Sequence, residues 1–372
     1  VVELSHATEK KLFFIIPSLM GGGAERVLIS LANHFNTLNY KPIIISLNNC
    51  VPAYDITCGV QVLYLVNRKK DSLLFRAYYV LQIFFKLIGY LIKERPVCSV
   101  SFITSANIWT GIACNITRTP YVVSERTSPN RSINKLGYFQ NYLTARLYKR
   151  SKAVVVSASG VEQCLRENKE FEKLKNIFKI NNAVNVFEPP TNKKVHYRKF
   201  ILGVGRLTYV KGFDILIHAF GNAKLQDVDL LIVGEGDERA NLICQIYNLG
   251  LRDRVILTGE KTNLQDFYSQ AELFVLPSRN EGYPNALVEA MSFGCPCVAV
   301  NCEFGPSEII INNFNGILVN NPSINSLSNV ISNLIDNPDV RDLLGKNALN
   351  INKTNNAEQI LQKWENLVLC NP

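Results

Sequence analysis

No run of about 20 uncharged apolar residues crosses this 372-residue chain. Its longest apolar stretches, such as Ile83 to Ile92, are short and interrupted by Lys86. A bilayer-spanning helix is therefore not expected. A secretory leader is not expected either, because the apolar run Leu12–Met20 goes straight into three glycines and a Glu–Arg pair. The chain opens on Val1, which is consistent with a native start further upstream. Cysteine is present at ten positions, but no CxxC pair has a distant partner pair. Zinc and a disulfide framework are thus excluded as expectations, and a reducing, cytosolic setting is the simpler reading. Hydrophobic residues make up 47% and charged residues 19%, so neither disorder nor membrane embedding fits the composition.

What the chain has is a division of charge. Residues 1–200 carry 28 Lys+Arg against 12 Asp+Glu, a balance of +16, and residues 201–372 carry 12 against 19, a balance of −7. A basic half joined to an acidic half suggests two domains with different partners. A basic face can meet anionic lipid or nucleic acid, or can simply be a solvated surface. The nucleic-acid reading lacks a recognition motif and is set aside.

Apolar runs of four to seven residues alternate with helical patterns. Strands are expected at Leu12–Pro17, Pro42–Leu47, Val62–Val66, Val97–Ile103, Tyr121–Ser124, Val154–Ser157 and Ile177–Val186. Helices are expected at Ala24–Leu38, Leu73–Lys93 and Tyr138–Arg150. Around Phe187–Lys194 two prolines and a polar run break the pattern, and a second series then starts. This predicts an N-terminal domain over 1–188, a linker over 189–196, a C-terminal domain over 197–355 and a last helical segment over 356–372. Buried runs separated by helices predict two Rossmann-like α/β domains with parallel sheets. Ligands of such sheets lie beyond the carboxyl ends of the strands.

Three segments carry candidate chemistry. Gly21-Gly22-Gly23 lies where a strand ends and a helix begins, which suits either a tight turn or close approach to an anion. It is not GxGxxG and no Walker lysine follows, so dinucleotide and P-loop readings are weak. In Gly203-Val-Gly205-Arg206-Leu-Thr-Tyr-Val-Lys211-Gly212, two cations follow a strand terminus. A guanidinium forks across phosphate oxygens and an ammonium adds a point charge, so the pair suits a diphosphate. In Glu281-Gly-Tyr-Pro-Asn-Ala-Leu-Val-Glu289, Pro284 fits a first helical turn. Glu281 then precedes the helix and Glu289 lies inside it, up to roughly 12 Å away. A carboxylate suits a sugar diol, and the N–H groups of Asn285, Ala286 and Leu287 suit the phosphates between them.

These segments, with Val233-Gly-Glu-Gly236 and Leu276-Pro-Ser278, resemble the retaining glycosyltransferases of family 4, over nearly the whole chain. The resemblance implies the GT-B fold, with two Rossmann-like doubly wound domains facing across a cleft. It implies that Arg206 and Lys211 bind the donor diphosphate, that Glu289 takes the ribose and Glu281 the donor sugar. Gly22 and Gly23 would approach the phosphate or the acceptor. No cofactor and no metal is implied beyond a UDP-sugar serving as donor substrate. Asp227-Val-Asp229 reads as DxD but lies at a strand start, the wrong end for a site.

One departure stands out. Many relatives place a histidine after the strand matching Tyr121–Ser124, where this chain has Ser124-Glu125-Arg126. Glu125 is therefore a candidate acceptor to a sugar hydroxyl, and such segments resemble those of enzymes that use N-acetylhexosamines. The expected reaction is hexosyl transfer with retention by same-face attack, Arg206 and Lys211 stabilising the leaving diphosphate. The segment Arg68–Arg95 is basic, apolar and aromatic, with no acid between Asp71 and Glu94, and Arg126–Lys152 holds no acid either. These features point to an anionic membrane surface and a lipid-linked, polyprenyl-diphosphate acceptor, approached from the cytosolic face. A small soluble acceptor and a non-catalytic nucleotide-sugar-binding scaffold are the alternatives.

Overall fold

The computed structural model describes residues 10–67, 72–184, 187–191 and 193–369. It divides into two compact units, Val1–Asn181 with Glu358–Pro372 and Asn182–Ala357. The basic triplet Arg68-Lys69-Lys70 lies outside the described residues.

The first unit runs β1 (Lys11–Ile16), α1 (Gly23–Thr37), β2 (Lys41–Asn48), β3 (Gln61–Val66), α2 (Leu73–Glu94), β4 (Cys98–Phe102), α3 (Thr104–Thr117), β5 (Tyr121–Glu125), α4 (Tyr138–Arg150), β6 (Ala153–Val156), α5 (Ser159–Glu167) and β7 (Ile177–Lys179). The seven strands are parallel in the order β3-β2-β1-β4-β5-β6-β7. Strands β4, β5 and β6 are buried along their whole length, as expected of central strands covered on both faces.

The second unit runs β8 (Lys199–Val204), α6 (Phe213–Ala223), β9 (Val228–Val233), α7 (Arg239–Asn248), β10 (Val255–Gly259), α8 (Leu264–Gln270), β11 (Leu273–Leu276), α9 (Asn285–Ser292), β12 (Cys297–Val300), α10 (Pro306–Ile309), β13 (Ile317–Val319), α11 (Ile324–Asp336), α12 (Pro338–Ala348) and α13 (Ile351–Thr354). Its six strands are parallel in the order β10-β9-β8-β11-β12-β13. Leu216, Leu230, Leu273 and Val298 meet in one core between this sheet and its helices. Both units are doubly wound: the strand order reverses beside the first strand of each.

The last helix, α14 (Ala357–Leu369), packs with the first unit. Its Trp364 is 1% exposed and stacks on Phe102 of β4 at 5.7 Å between ring centroids. The Lys152 ammonium donates to the Val368 carbonyl at 3.0 Å. The stretch read as a linker, 189–196, belongs to the second unit: Thr191 N–H donates to Asp266 on α8, and Val195 N–H to Gln270. The unit boundary falls earlier, at Asn181–Asn182, because Asn182 is tied to Asn355 and Asn285 by side-chain hydrogen bonds. The expected strand over Ile177–Val186 is cut short for the same reason, and only Ile177–Lys179 pairs.

Helix α2 revises one expectation. It runs unbroken for 22 residues through Lys86, and among the described residues it is the one helix long and apolar enough to cross a membrane. Only a stripe of it, Tyr79, Ile83, Leu87 and Leu91, is buried in the core of the first unit.

Candidate functional site

Sheet order locates the site. Strand β8 lies between β9 and β11, so the loops leaving β8 and β11 diverge at a topological switch point. The loop after β8 carries Gly205, Arg206 and Lys211, and the loop after β11 carries Pro277 to Pro284. Two segments far apart in sequence are thereby brought side by side.

Their side chains meet. The Lys211 ammonium lies 2.7 Å from Glu281 Oε1, and the Ser278 hydroxyl donates to the same oxygen at 2.7 Å. Glu281 is buried, whereas Arg206 is exposed. The sequence predicted roles for Lys211 and Glu281 separately, and their direct pairing is new. Two further residues hold the loops together. Arg279 grips Asp214 through two bonds of 2.7 and 2.6 Å, donates to the Tyr209 carbonyl and stacks over the Tyr209 ring. Burial alone would raise the Asp214 carboxyl, but the Arg279 guanidinium outweighs it and holds Asp214 below the usual carboxylate range. Sequence reasoning missed this clamp, because no local motif joins Arg279 to a residue 65 positions earlier.

The glycines explain the close approach. Gly212 has φ +68°, and a Cβ there would lie 2.1 Å from the Pro277 carbonyl oxygen. A Cβ on Gly234, φ +144°, would lie 2.0 Å from the Gly205 carbonyl oxygen. Only glycine lets these chains touch.

Helix α9 starts at Asn285, with Pro284 as its extended N-cap, so the proline lies just outside the first turn in which the sequence placed it. Its first amides, Asn285 and Ala286, open the helix, but the Leu287 N–H donates to the Pro284 carbonyl at 3.1 Å. Leu287 is therefore removed from the expected set of anion-facing donors, because its N–H is spent in the tight first turn. Glu289 lies in the next turn, 2% exposed, and accepts from the Tyr268 hydroxyl at 2.9 Å. Tyr268 is in turn stacked on Phe293, with ring centroids 5.9 Å apart. Asp229, the second acid of the DxD-like triplet, is taken up by Arg254 and His196, each at 2.8 Å, at the start of β9.

In the first unit, Gly21, Gly22 and Gly23 bridge β1 to the N-terminus of α1, also beside a switch point. Gly21 has φ +90°, while Gly22 is extended at φ −178°. Gly23 is exposed.

Glu125 corrects an expectation. It is 0% exposed at the end of β5, and its carboxyl accepts from Thr104 Oγ1 at 2.9 Å, from Asn107 Nδ2 at 2.9 Å and from the Tyr148 hydroxyl. It thus joins α3, α4 and β5 from within and offers no surface to a sugar hydroxyl. The strand pattern predicted its place correctly but carried no information about α3, whose inward Asn107 obscures the apolar period. Next to it, Arg126 donates to Ser124 Oγ at 2.8 Å and lies over the rings of Phe102 and Trp364. Burial lowers the Arg126 pKa to about 9.

Burial pushes the Glu125 carboxyl above its ordinary range, against the pull of its three donors. A carboxyl with a raised folded-state pKa supports the fold fully only below its unfolded value, about 4.3, and that support is lost as pH rises through the folded value. Melting temperature should therefore carry a downward component above about pH 4.3. Glu125→Gln should flatten it; an unchanged slope in melting curves taken across this range would contradict the assignment.

Comparison with known proteins agrees with this architecture. Residues 187–351 match the family model described as "Glycosyl transferases group 1". The amylovoran biosynthesis glycosyltransferase AmsD of Erwinia amylovora is 26% identical, over 96% of this chain and 99% of that protein. The N-acetylgalactosamine-N,N'-diacetylbacillosaminyl-diphospho-undecaprenol 4-alpha-N-acetylgalactosaminyltransferase of Campylobacter jejuni is 25% identical, over 89% of this chain and 92% of that protein. The crystal structure of Anabaena Alr3699/HepE in complex with UDP and glucose superposes with a TM-score of 0.78 at 20% identity, covering 96% of this chain and 98% of that one. Residues 187–351 thus match the group 1 glycosyltransferase model, and the chain as a whole has the GT-B fold and glycosyltransferase relatives.

Proposed function

We propose that this protein is a retaining glycosyltransferase of family 4 that moves a hexosyl or N-acetylhexosaminyl group from a UDP-sugar to a polyprenyl-diphosphate-linked glycan. The observation that carries the reading is the Lys211–Glu281 pair at the β8/β11 switch point, with exposed Arg206 on the same loop. Two cations at the carboxyl ends of a parallel sheet suit a diphosphate, and a carboxylate held beside them suits a sugar hydroxyl. Asn285 and Ala286 at the N-terminus of α9 add partial positive charge for the phosphates, and Glu289 takes the ribose. Gly22 and Gly23 approach the donor phosphate or the acceptor.

In the proposed step the bond from the sugar C1 to the UDP oxygen breaks while the acceptor hydroxyl attacks from the same face. The leaving phosphate oxygen takes the hydroxyl proton. Arg206 and Lys211 stabilise the charge that grows on the diphosphate, the kind of help that dominates in such sites. From the resemblance we assign no divalent metal to this chemistry, and turnover should persist in excess chelator. Support for a lipid-carried acceptor comes from the basic first half and from the diphospho-undecaprenol in the name of the Campylobacter jejuni relative. The site of action in this proposal is the cytosolic face of a membrane.

A panel of UDP- and GDP-sugars tests the reading by thermal stabilisation and by slow donor hydrolysis. One or more UDP-sugars should stabilise the protein and be hydrolysed. Stabilisation by no member of the panel would sink the assignment.

A further inference from the structure

A water-facing helix ordinarily turns polar residues outward. Helix α2 does the opposite. Its inward stripe, Tyr79, Ile83, Leu87 and Leu91, packs into the first unit. The row on the opposite side, Leu74, Tyr78, Leu81, Phe85 and Ile92, is also apolar, and Leu74 and Phe85 are 83% and 65% exposed. With 3.6 residues per turn these five positions fall on one line along the helix. A contiguous apolar surface of this kind marks an interaction site.

The surface extends to a neighbouring helix. Phe84 of α2 meets Trp109 of α3, and Asn115 of α3 accepts from Arg150 of α4, so the three helices lie in sequence across one layer. On α4 the exposed face begins with Tyr138 and Tyr142 and continues into Arg146 and Lys149. Aromatic rings followed by long cations suit the boundary between acyl chains and headgroups.

We infer that the outer faces of α2 and α4 form a platform that lies in the surface of an anionic membrane, with Leu81 and Phe85 entering the acyl boundary and the cations of α4 at the headgroups. Charge selects this occupant over a second copy of the chain. The outer row has the four-and-three spacing of a coiled-coil seam, but no acid occurs among residues 72–93 or 126–152 to meet the exposed Arg146 and Lys149 of a second copy. Two such faces would bring like charges of α4 together, whereas anionic lipid attracts both. Burial of the inner stripe sets α2 along the surface and not across it. The inference rests on the proposed lipid-carried acceptor and adds to it the residues that reach the membrane.

The full-length protein is sedimented with vesicles of phosphatidylglycerol and phosphatidylcholine, and with phosphatidylcholine alone, at low salt. The native chain should partition onto the anionic vesicles, and Leu81→Glu/Phe85→Glu should lower the partition at least tenfold. Arg146→Glu/Lys149→Glu should lower it on anionic vesicles only, and added salt should erase that difference. Both variants replace exposed residues, so their stabilisation by a donor nucleotide should match the native chain. Equal partition of native and Leu81→Glu/Phe85→Glu proteins overturns the inference. So does a native dimer that ignores vesicles and that the same variant dissolves. Vesicle binding without stabilisation by any nucleotide-sugar would sink the glycosyl-transfer reading and leave the platform standing.

Discussion

Lys211→Ala should lower kcat by about a hundred- to a thousandfold, equivalent to about 3–4 kcal/mol of transition-state stabilisation. The ammonium sits on the loop after β8, at the switch point, and its partner Glu281 is fixed by Ser278. Charge grows on the leaving diphosphate as the sugar departs, so a cation held there acts more strongly on the transition state than on the bound donor. Arg206→Ala should fall in the same direction. Because Lys211 also neutralises a buried carboxylate, part of the loss in Lys211→Ala could arise from an uncompensated Glu281. A double-mutant cycle separates the two. If Lys211 acts on the donor, Lys211→Met/Glu281→Gln stays as slow as Lys211→Met in steady-state assays. Recovery of turnover in the double variant would mean that the single variant fails through the orphaned glutamate. Near-native kcat in Lys211→Ala and Arg206→Ala would overturn the diphosphate assignment.

Gly212→Ala should destabilise the second unit by at least about 2 kcal/mol and lower its melting temperature by roughly 5 °C or more. Two costs add. The residue has φ +68°, the left-handed region that an L side chain enters at about 1–2 kcal/mol. The new Cβ also lies 2.1 Å from the Pro277 carbonyl oxygen, a backbone atom that cannot swing away. The loop bearing Lys211 and the loop bearing Glu281 would have to part, so activity should fall with stability. Gly212→Asn tells strain from collision. Asparagine tolerates the left-handed region but carries the same Cβ. It should be nearly as damaging as alanine if contact with Pro277 dominates. Gly205→Ala is the comparison without a collision: φ is +156°, so the backbone is strained there too, but its Cβ would meet nothing closer than the Lys211 side chain at 3.6 Å. Thermal melts of the three variants that failed to rank Gly205→Ala as the mildest would contradict this account.

Much of the fold was legible locally. Runs such as Leu12–Ile16 and Val154–Val156 are buried on both faces, so unbroken hydrophobicity announced parallel strands. The Pro284 start of α9 was readable because proline at a helix entrance is a local backbone preference. Helix α3 escaped notice because Asn107 and Thr110 point into the protein, where Asn107 bonds Glu125, Ser124 and Tyr148. A buried polar network erases the apolar period on which sequence reading depends. The linker was misplaced for a related reason. Two prolines interrupt secondary structure, but Thr191 and Val195 are tethered to α8 by bonds to residues 75 positions away.

By itself the sequence determined which segments form strands and helices, the two halves of opposite charge, and the cations and carboxylates available near strand ends. Those properties follow from local periodicity, backbone preference and composition. The tertiary structure alone decided that Lys211 pairs with Glu281 across 70 residues, that Arg279 clamps Asp214, and that Glu125 is sealed inside the first unit. It also decided that the apolar outer row of α2 stays uncovered by the described residues of the chain. Burial and pairing depend on which distant surfaces the strand order brings together, and a carboxylate takes its role from the donors around it and the water left to it.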